Sequence, residues 1–411
     1  MQSTHGDATI PFFLDGYRFG TKRFEQFGAA AFKTRLAGLP MVFLRGADAA
    51  GMFYDGGHFT RQGAMPPTVV HLLQDLGSVQ SLDGAAHHHR KALFVQLLTD
   101  DAELTRLGNI FARQWEQAQQ HWRGRVVLRH ASTEILARAA FEWAGIPLAQ
   151  TDVVMRTDEL AAMVEYAGSV GPANWIAQLR RRRTEAWAAE LIRRARTEKR
   201  EGTPLAALAH WNGIDGEPLD DEVLAVELLN ILRPIVAVAQ FIVFSTLGLH
   251  LYPTWQERFR AGDFTDLDNF VHEVRRLCPF FPVIAGRARH NFSWQGNEFS
   301  AGDRVVLDLY ATNHDPALWH QPYKFRPERF RSWNGDPNTL IPQGAGDVNR
   351  GHRCPGLRAT IELMRVAVRC LARTDYDVAP QNLRVSLSRF PALPRSGFIM
   401  DVAAPALRPV T

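Results

Sequence analysis

The chain has 411 residues, 46% of them hydrophobic, enough for a sizeable core in one large domain or in two to three ordinary ones. Its 47 basic and 43 acidic side chains leave a net charge of +4, too mild over this length to imply a nucleic-acid partner. Three widely spaced cysteines, Cys278, Cys354 and Cys370, offer no disulfide framework and fit a reducing, cytoplasmic setting.

The N-terminal stretch MQSTHGDATIPFFLDGYRFG lacks the basic start and apolar run of a secretory signal. A strand is expected at MVFLRG. Helices follow at DAELTRLGNIFARQWEQAQQHW, where Asp101 is placed to cap, and at LRHASTEILARAAFEWAGIP, stopped by Gly145 and Pro147. The basic segment from Leu179, LRRRRTEAWAAELIRRARTEKREG, carries Trp187, Leu191 and Ile192 at helical spacing, so its arginines read as a solvated face rather than a nucleic-acid surface. A long helix is predicted from about Asp220 to His250; at about 1.5 Å per residue it would cross a domain of this size. Within it, Ile235 to Leu249 falls short of the roughly 20 apolar residues of a membrane span and contains Gln240, so a buried core helix is expected and no membrane anchor. A strand at RVVLDLY and others after Pro279 complete the pattern. With no internal repeat, low-complexity tract or linker, residues 1–411 read as a single, mainly α domain with small β-sheets.

Two residues in the predicted long helix are costly there. Arg233 brings a permanent charge into an apolar stretch, and Pro234 removes a backbone donor, at about 3 kcal/mol or more inside a helix. On their own they read as a core arginine paired with an unseen acid and an ordinary kink. Further on, IPQGAGDVNRGHRCPGLRATIELMRVAVRCLAR passes from a Gly-rich loop through Cys354 to a helix. A cysteine at a helix N-terminus, with His352 and Arg353 beside it, is favoured as a thiolate, and Gly344, Gly346, Gly351 and Gly356 let backbone approach a flat ligand. The alternative is a buried structural cysteine. Glu273 and Arg276 in FVHEVRRLCPFFP lie three apart on one helix face, and FRPERF supplies Arg329 some fifty residues later.

In this order and spacing the chain resembles the cytochrome P450 superfamily over essentially its whole length. Glu273 and Arg276 match the ExxR motif, Arg329 the arginine that completes a buried triad, and Cys354 with Gly356 the end of the haem loop. The resemblance implies the P450 fold with a long central helix, haem b as cofactor, and Cys354 as the axial thiolate on its iron. Two places depart from the usual pattern. Asp347 and Arg350 stand where the haem loop usually has Phe and Gly, and NILRPIVAV lacks the Gly, acid and Thr that serve dioxygen activation.

Both departures resemble the fatty-acid peroxygenase branch (alpha/beta-hydroxylase, CYP152-type), whose most specific mark is the Arg-Pro pair of the central helix. That branch implies hydrogen peroxide as oxidant, no redox partner, and a fatty acid whose carboxylate is held by Arg233. The carboxylate then acts as acid and base, and hydroxylation falls at Cα or Cβ. Pro234 makes room by opening the helix, and Gln80 of SVQSLDGAAHHHRKALF stands at the distal position where Gln is associated with hydroxylation and His with decarboxylation. His87 and Lys91, four apart, are expected to reach the haem propionates, with Arg61 as a further candidate. The triple His87 to His89 could instead form a polar surface cluster or an adventitious metal site. For the alkyl chain the candidates are Val170, Phe280, Phe281 and Val283. Other readings are a decarboxylase forming terminal alkenes, a non-catalytic haem-based fatty-acid binder, and a reductase-fed monooxygenase.

Overall fold

In the computed structural model, which describes residues 1–402 except 76 and 199–200, helical periodicity in the first two thirds of the chain becomes a stack of long helices. These are Gly84–Thr99, Asp101–Gln119, Leu128–Ala144, Val153–Glu165 and Pro172–Glu198. The cap of the second is Asp100, one residue earlier than the sequence suggested, its carboxylate accepting from the Glu103 N–H at 3.0 Å. Leu128–Ala144 stops as expected, at Gly145 in the left-handed region (φ 86°), where the backbone N–H caps the last turn.

The expected strands at MVFLRG and RVVLDLY form as Leu39–Leu44 and Arg304–Asp308 and pair in parallel. They lie at the middle of a six-stranded sheet ordered Gln2–Ser3, Ala31–Leu36, Leu39–Leu44, Arg304–Asp308, Val283–Ala288 and Phe59–Thr60. The sheet has a separate apolar core built on Phe53, Phe59, Phe299 and Leu307. The main core belongs to the helices, with Phe111, Trp115, Phe141 and Trp143 among its fully buried side chains.

The basic helix Pro172–Glu198 turns Leu191 and Ile192 inward, and Arg193 and Arg194 pair with Glu190 at 2.7 and 2.8 Å. Arg181 departs from the solvated face expected of it. It is buried, bound to Glu185 at 2.6 Å and facing Asp75 at 3.4 Å.

The long central helix is two segments, Asp221–Ala237 and Ala239–Leu251, joined at Val238. The break follows Pro234 by four residues. Pro234 cannot donate to the Asn230 carbonyl, and the turn tightens so that the Val238 N–H reaches Ile235 O at 3.1 Å. By length and composition Asp221–Leu251 could cross a membrane, but 94% of its most apolar window is buried inside the fold. Core packing therefore accounts for its hydropathy. Gln240, beyond the break, is fastened to other segments: it donates from Nε2 to Pro279 O at 2.7 Å and to Ala392 O at 3.0 Å.

Candidate active site

One cavity gathers most of the residues singled out in the sequence. Its lining includes Cys354, Arg233, Pro234, Gln80, His87, Lys91, Phe280, Phe281 and Val283.

Cys354 is set by local backbone. Its N–H donates to Gln343 O at 3.1 Å, and the helix Leu357–Arg373 starts just beyond it, with Gly356 as cap. The half-buried thiol turns its open side into the cavity. Burial pushes its pKa up, against the Gly356 N–H, the cations Lys91 and Arg275, and Gln343. Gly344 (φ 91°) permits the close turn before it: a Cβ there would sit 2.5 Å from the Tyr54 hydroxyl.

The Glu-Arg-Arg triad is linked to the segment before this loop through Asn313, whose Oδ1 accepts from the Ile341 N–H at 2.9 Å. Arg276 donates from Nε and Nη2 to the two Glu273 oxygens at 2.7 and 2.8 Å, and Arg329 Nε reaches Glu273 Oε1 at 3.2 Å. Arg276 also donates to the carbonyls of Asn313 and Pro322, both at 2.8 Å. The same helix, Leu267–Leu277, carries Arg275, whose guanidinium reaches Gln343 Oε1 at 3.3 Å. Gln343 in turn donates to Thr360 Oγ1 at 2.9 Å and lies 4.0 Å from Cys354 Sγ. Arg275 and Gln343 were not anticipated; an arginine adjacent to the ExxR arginine was the only hint available.

The residues present fit a haem. The cavity pairs an inward-facing thiol with small and apolar side chains, Ala237, Val238, Phe94, Leu98, Ala359 and Leu363. It also collects basic side chains: His87, Lys91, His352 and Arg353 all line it. Burial, reinforced by neighbouring cations, pushes His87 down to about 4; burial alone pushes Lys91 down to about 8, opposed by Cys354 and Asp347. Arg353 Nε is buried without a partner. Two carboxylates such as haem propionates would supply what this end lacks. His87 stacks on His352, ring centroids 4.0 Å apart, while His89 bonds to Asn212 O, so the three histidines do not converge. Among the described residues no cluster of His, Cys, Asp or Glu could hold a metal ion.

Two expected residues lie elsewhere. Arg61 does not line the cavity; its guanidinium covers the Phe53 and Tyr54 rings at 4.3 and 5.0 Å and donates to Ala285 O at 3.0 Å. Val170 is 77% exposed, because the segment between Val153–Glu165 and Pro172–Glu198 turns outward, and Val164 lines the cavity in its place.

Lys91 ties its helix to the cysteine loop, its ammonium donating to Gly351 O and Arg353 O, each at 2.6 Å. Lys91→Met is expected to lower the unfolding free energy by about 1.5–3 kcal/mol, the net worth of a hydrogen bond to a charged group, and to speed haem loss. Denaturant titration and transfer of haem to an acceptor globin measure both.

Arg233 is buried, and its acceptors are neutral: Leu73 O and Asn230 Oδ1 (3.0 Å) from Nη2, and Leu72 O (3.5 Å) from Nη1. Among the described residues no carboxylate lies within ion-pair distance of it, so the core ion-pair alternative fails. Burial pushes its pKa down to about 9, with Arg181 adding to the shift and Glu227 opposing it. Gln80 Oε1 accepts from Ser78 Oγ at 2.9 Å and Asn230 Nδ2 at 3.2 Å. Apart from Arg233 and Asn230, the central helix presents Ile231, Pro234, Ile235, Ala237, Val238 and Phe241 to the cavity, with no acid or hydroxyl among them. Phe280 stacks on Phe241 with centroids 4.5 Å apart.

The Cytochrome P450 family profile matches residues 262–392. Among curated proteins, cytochrome P450 71D18 of Mentha gracilis is 36% identical over 95 residues, 22% of this chain and 18% of that protein. The chain thus aligns with only about a fifth of the length of that relative. Solved structures align over far more. Cytochrome P450SP alpha in complex with (R)-ibuprophen is 40% identical, with a TM-score of 0.93 over 96% of this chain and 98% of that one. Cytochrome P450EX alpha with myristic acid is 37% identical, with a TM-score of 0.93 over 98% of each chain. A variant of cytochrome P450 OleT in complex with arachidonic acid is 31% identical at the same TM-score of 0.93, over 98% of this chain and 97% of that one.

Proposed function

Because this chain belongs to the cytochrome P450 superfamily, in its CYP152-type branch, we propose that it is a haem-thiolate peroxygenase that hydroxylates medium- or long-chain fatty acids at Cα or Cβ with hydrogen peroxide. The observation that carries this reading is the buried guanidinium of Arg233, without counter-ion, in the cavity lined by Cys354. A fatty-acid carboxylate matches the planar donor fork and brings the missing charge. Solved relatives with myristic and arachidonic acid support that choice of ligand.

Bound on Cys354, the haem supplies the oxidising chemistry. Lys91, His87 and Arg353 would hold its propionates, and Pro234 thins the helix wall of the same cavity. The substrate carboxylate, fixed by Arg233, takes a proton from hydrogen peroxide and returns one to the departing oxygen, which leaves as water while the other oxygen enters a C–H bond. This replaces the protic side chains that the central helix lacks. With the carboxylate pinned, the carbons nearest it are the ones held for attack. Phe280, Phe281 and Val283 hold the alkyl chain, and Gln80, beside the clamp, favours hydroxylation. No reductase is needed, and the three free cysteines fit work in the cytoplasm.

Product analysis with fatty acids of several lengths tests the reading. Hydrogen peroxide alone should sustain formation of 2- or 3-hydroxy acids; mostly terminal alkene would make the enzyme a decarboxylase, and activity only with NAD(P)H and a redox partner would overturn the peroxygenase reading. The pH dependence follows from Arg233. Its pKa is lowered, so the cation is present below about 9 and is lost as pH rises through it. Fatty-acid affinity should therefore hold steady across neutral pH and weaken above about 9, whereas affinity for the matching fatty alcohol should not change there. Titration of the Soret shift at each pH measures both.

A further inference from the structure

Three polar residues of the central helix, Glu227, Asn230 and Arg233, recur every third position in an otherwise apolar run, and all three are buried. They form one chain of hydrogen bonds. Glu227 Oε1 accepts from the Val79 N–H at 2.8 Å and from Arg90 Nη1 at 2.9 Å. Glu227 Oε2 accepts from Asn230 Nδ2 at 3.1 Å. Asn230 Nδ2 also reaches Gln80 Oε1 and Gln74 O, each at 3.2 Å. The other end of the Asn230 amide, Oδ1, accepts from Arg233 at 3.0 Å.

Each partner constrains the next. Glu227, an acceptor only, dictates which end of the Asn230 amide faces it, so Oδ1 must face Arg233. Asn230 thereby gives Arg233 a directional acceptor without a charge. The Glu227 carboxylate lies one residue further back, with Arg90 at ion-pair distance, so its charge is largely spent there. A carboxylate placed directly on Arg233 would fill the position meant for the ligand; a bare apolar wall would leave the guanidinium free to rotate.

We propose that Glu227 and Asn230 are positioning residues: Glu227 fixes the Asn230 amide, and Asn230 aims the Arg233 guanidinium and the Gln80 side chain at a monoanionic carboxylate head group while leaving the charge of Arg233 for that ligand. The proposal rests on the reading of Arg233 as the fatty-acid clamp and adds how the clamp is oriented.

Glu227→Gln tests it sharply. Val79 N–H and Arg90 both point at Oε1, so the new carbonyl oxygen stays with these two donors and the new NH₂ faces Asn230. The Asn230 amide must then flip, turning its own NH₂ toward Arg233. By analogy with the hydrogen-bond partners of metal ligands, whose loss costs about 10- to 100-fold, a loss of at least about tenfold in fatty-acid affinity is expected. Asn230→Ala keeps the Glu227 and Arg90 pair intact and removes the link to Arg233 together with the bonds to Gln80 and Gln74; it should give a similar loss, which guards against a folding defect in the first variant. The dissociation constants of a fatty acid and of the fatty alcohol of equal length are measured by Soret titration of each holoenzyme. A selective loss for the acid, with the alcohol unchanged, supports the proposal. Unchanged acid affinity in both variants, or equal losses for acid and alcohol, overturns it. If the wild-type protein itself fails to prefer the acid, the clamp reading falls instead, so the two failures are distinguishable.

Discussion

Arg233→Ala is expected to lower peroxide-dependent fatty-acid turnover by about 10²- to 10⁴-fold, the range carried by a positioned general acid or base. Haem content and the reduced carbon monoxide spectrum should stay as in the wild type, because Cys354 and its loop do not depend on this side chain. The substitution removes a buried charge whose acceptors are all neutral, so global stability should not fall by the amount typical of a broken ion pair. What is lost is the anchor for the carboxylate, and with it the group that moves protons. A substrate without a carboxylate should react poorly with the wild-type protein and better when a short carboxylic acid is added. That rescue should vanish in Arg233→Ala. Fatty-acid affinity that survives the substitution would end the clamp model.

The second large effect belongs to Glu273. Glu273→Ala leaves the fully buried Arg276 and the half-buried Arg329 without their shared carboxylate, and removing one partner of a buried pair costs about 3–5 kcal/mol. Against a typical domain stability of about 5–15 kcal/mol, this is a large fraction. The damage should reach the haem end, because Leu267–Leu277 also carries Arg275, which holds Gln343 beside Cys354. Little holoprotein is expected, with a weakened thiolate signature in the carbon monoxide spectrum and a lower denaturant midpoint. A variant with normal haem content and wild-type stability would show that the triad does not support the loop.

Much of the site was legible in the sequence where a residue type was out of place for its element. A charge beside a proline in an apolar helix, and a cysteine among glycines at a helix start, each demanded a reason. Glu227 and Asn230 gave no such signal, because polar residues at three-residue spacing look like any solvated helix ridge until burial is known. Val170 failed for a different reason: the direction in which a connecting segment turns depends on the helices it joins, and periodicity does not encode it. Arg61 is basic and near the right motif, but its stacking on Phe53 and Tyr54 arises from tertiary packing alone. The hitch at Val238 follows from Pro234, yet where a helix absorbs a missing hydrogen bond depends on what packs around it.

The two fastenings of Gln240 have a consequence for selectivity. Gln240 lies seven residues beyond Arg233, roughly 10 Å along the helix axis, and grips the backbone at Pro279, next to Phe280 and Phe281. Arg233 and the Phe280–Phe281 wall are therefore both referenced to the central helix, one on each side of its hitch at Val238. If Arg233 is the carboxylate clamp, the spacing between these two points would help set which carbon is presented for attack. Inserting or deleting one residue between Arg233 and Gln240 would shift that spacing by about 1.5 Å and rotate Gln240 by about 100°, off its two carbonyl partners.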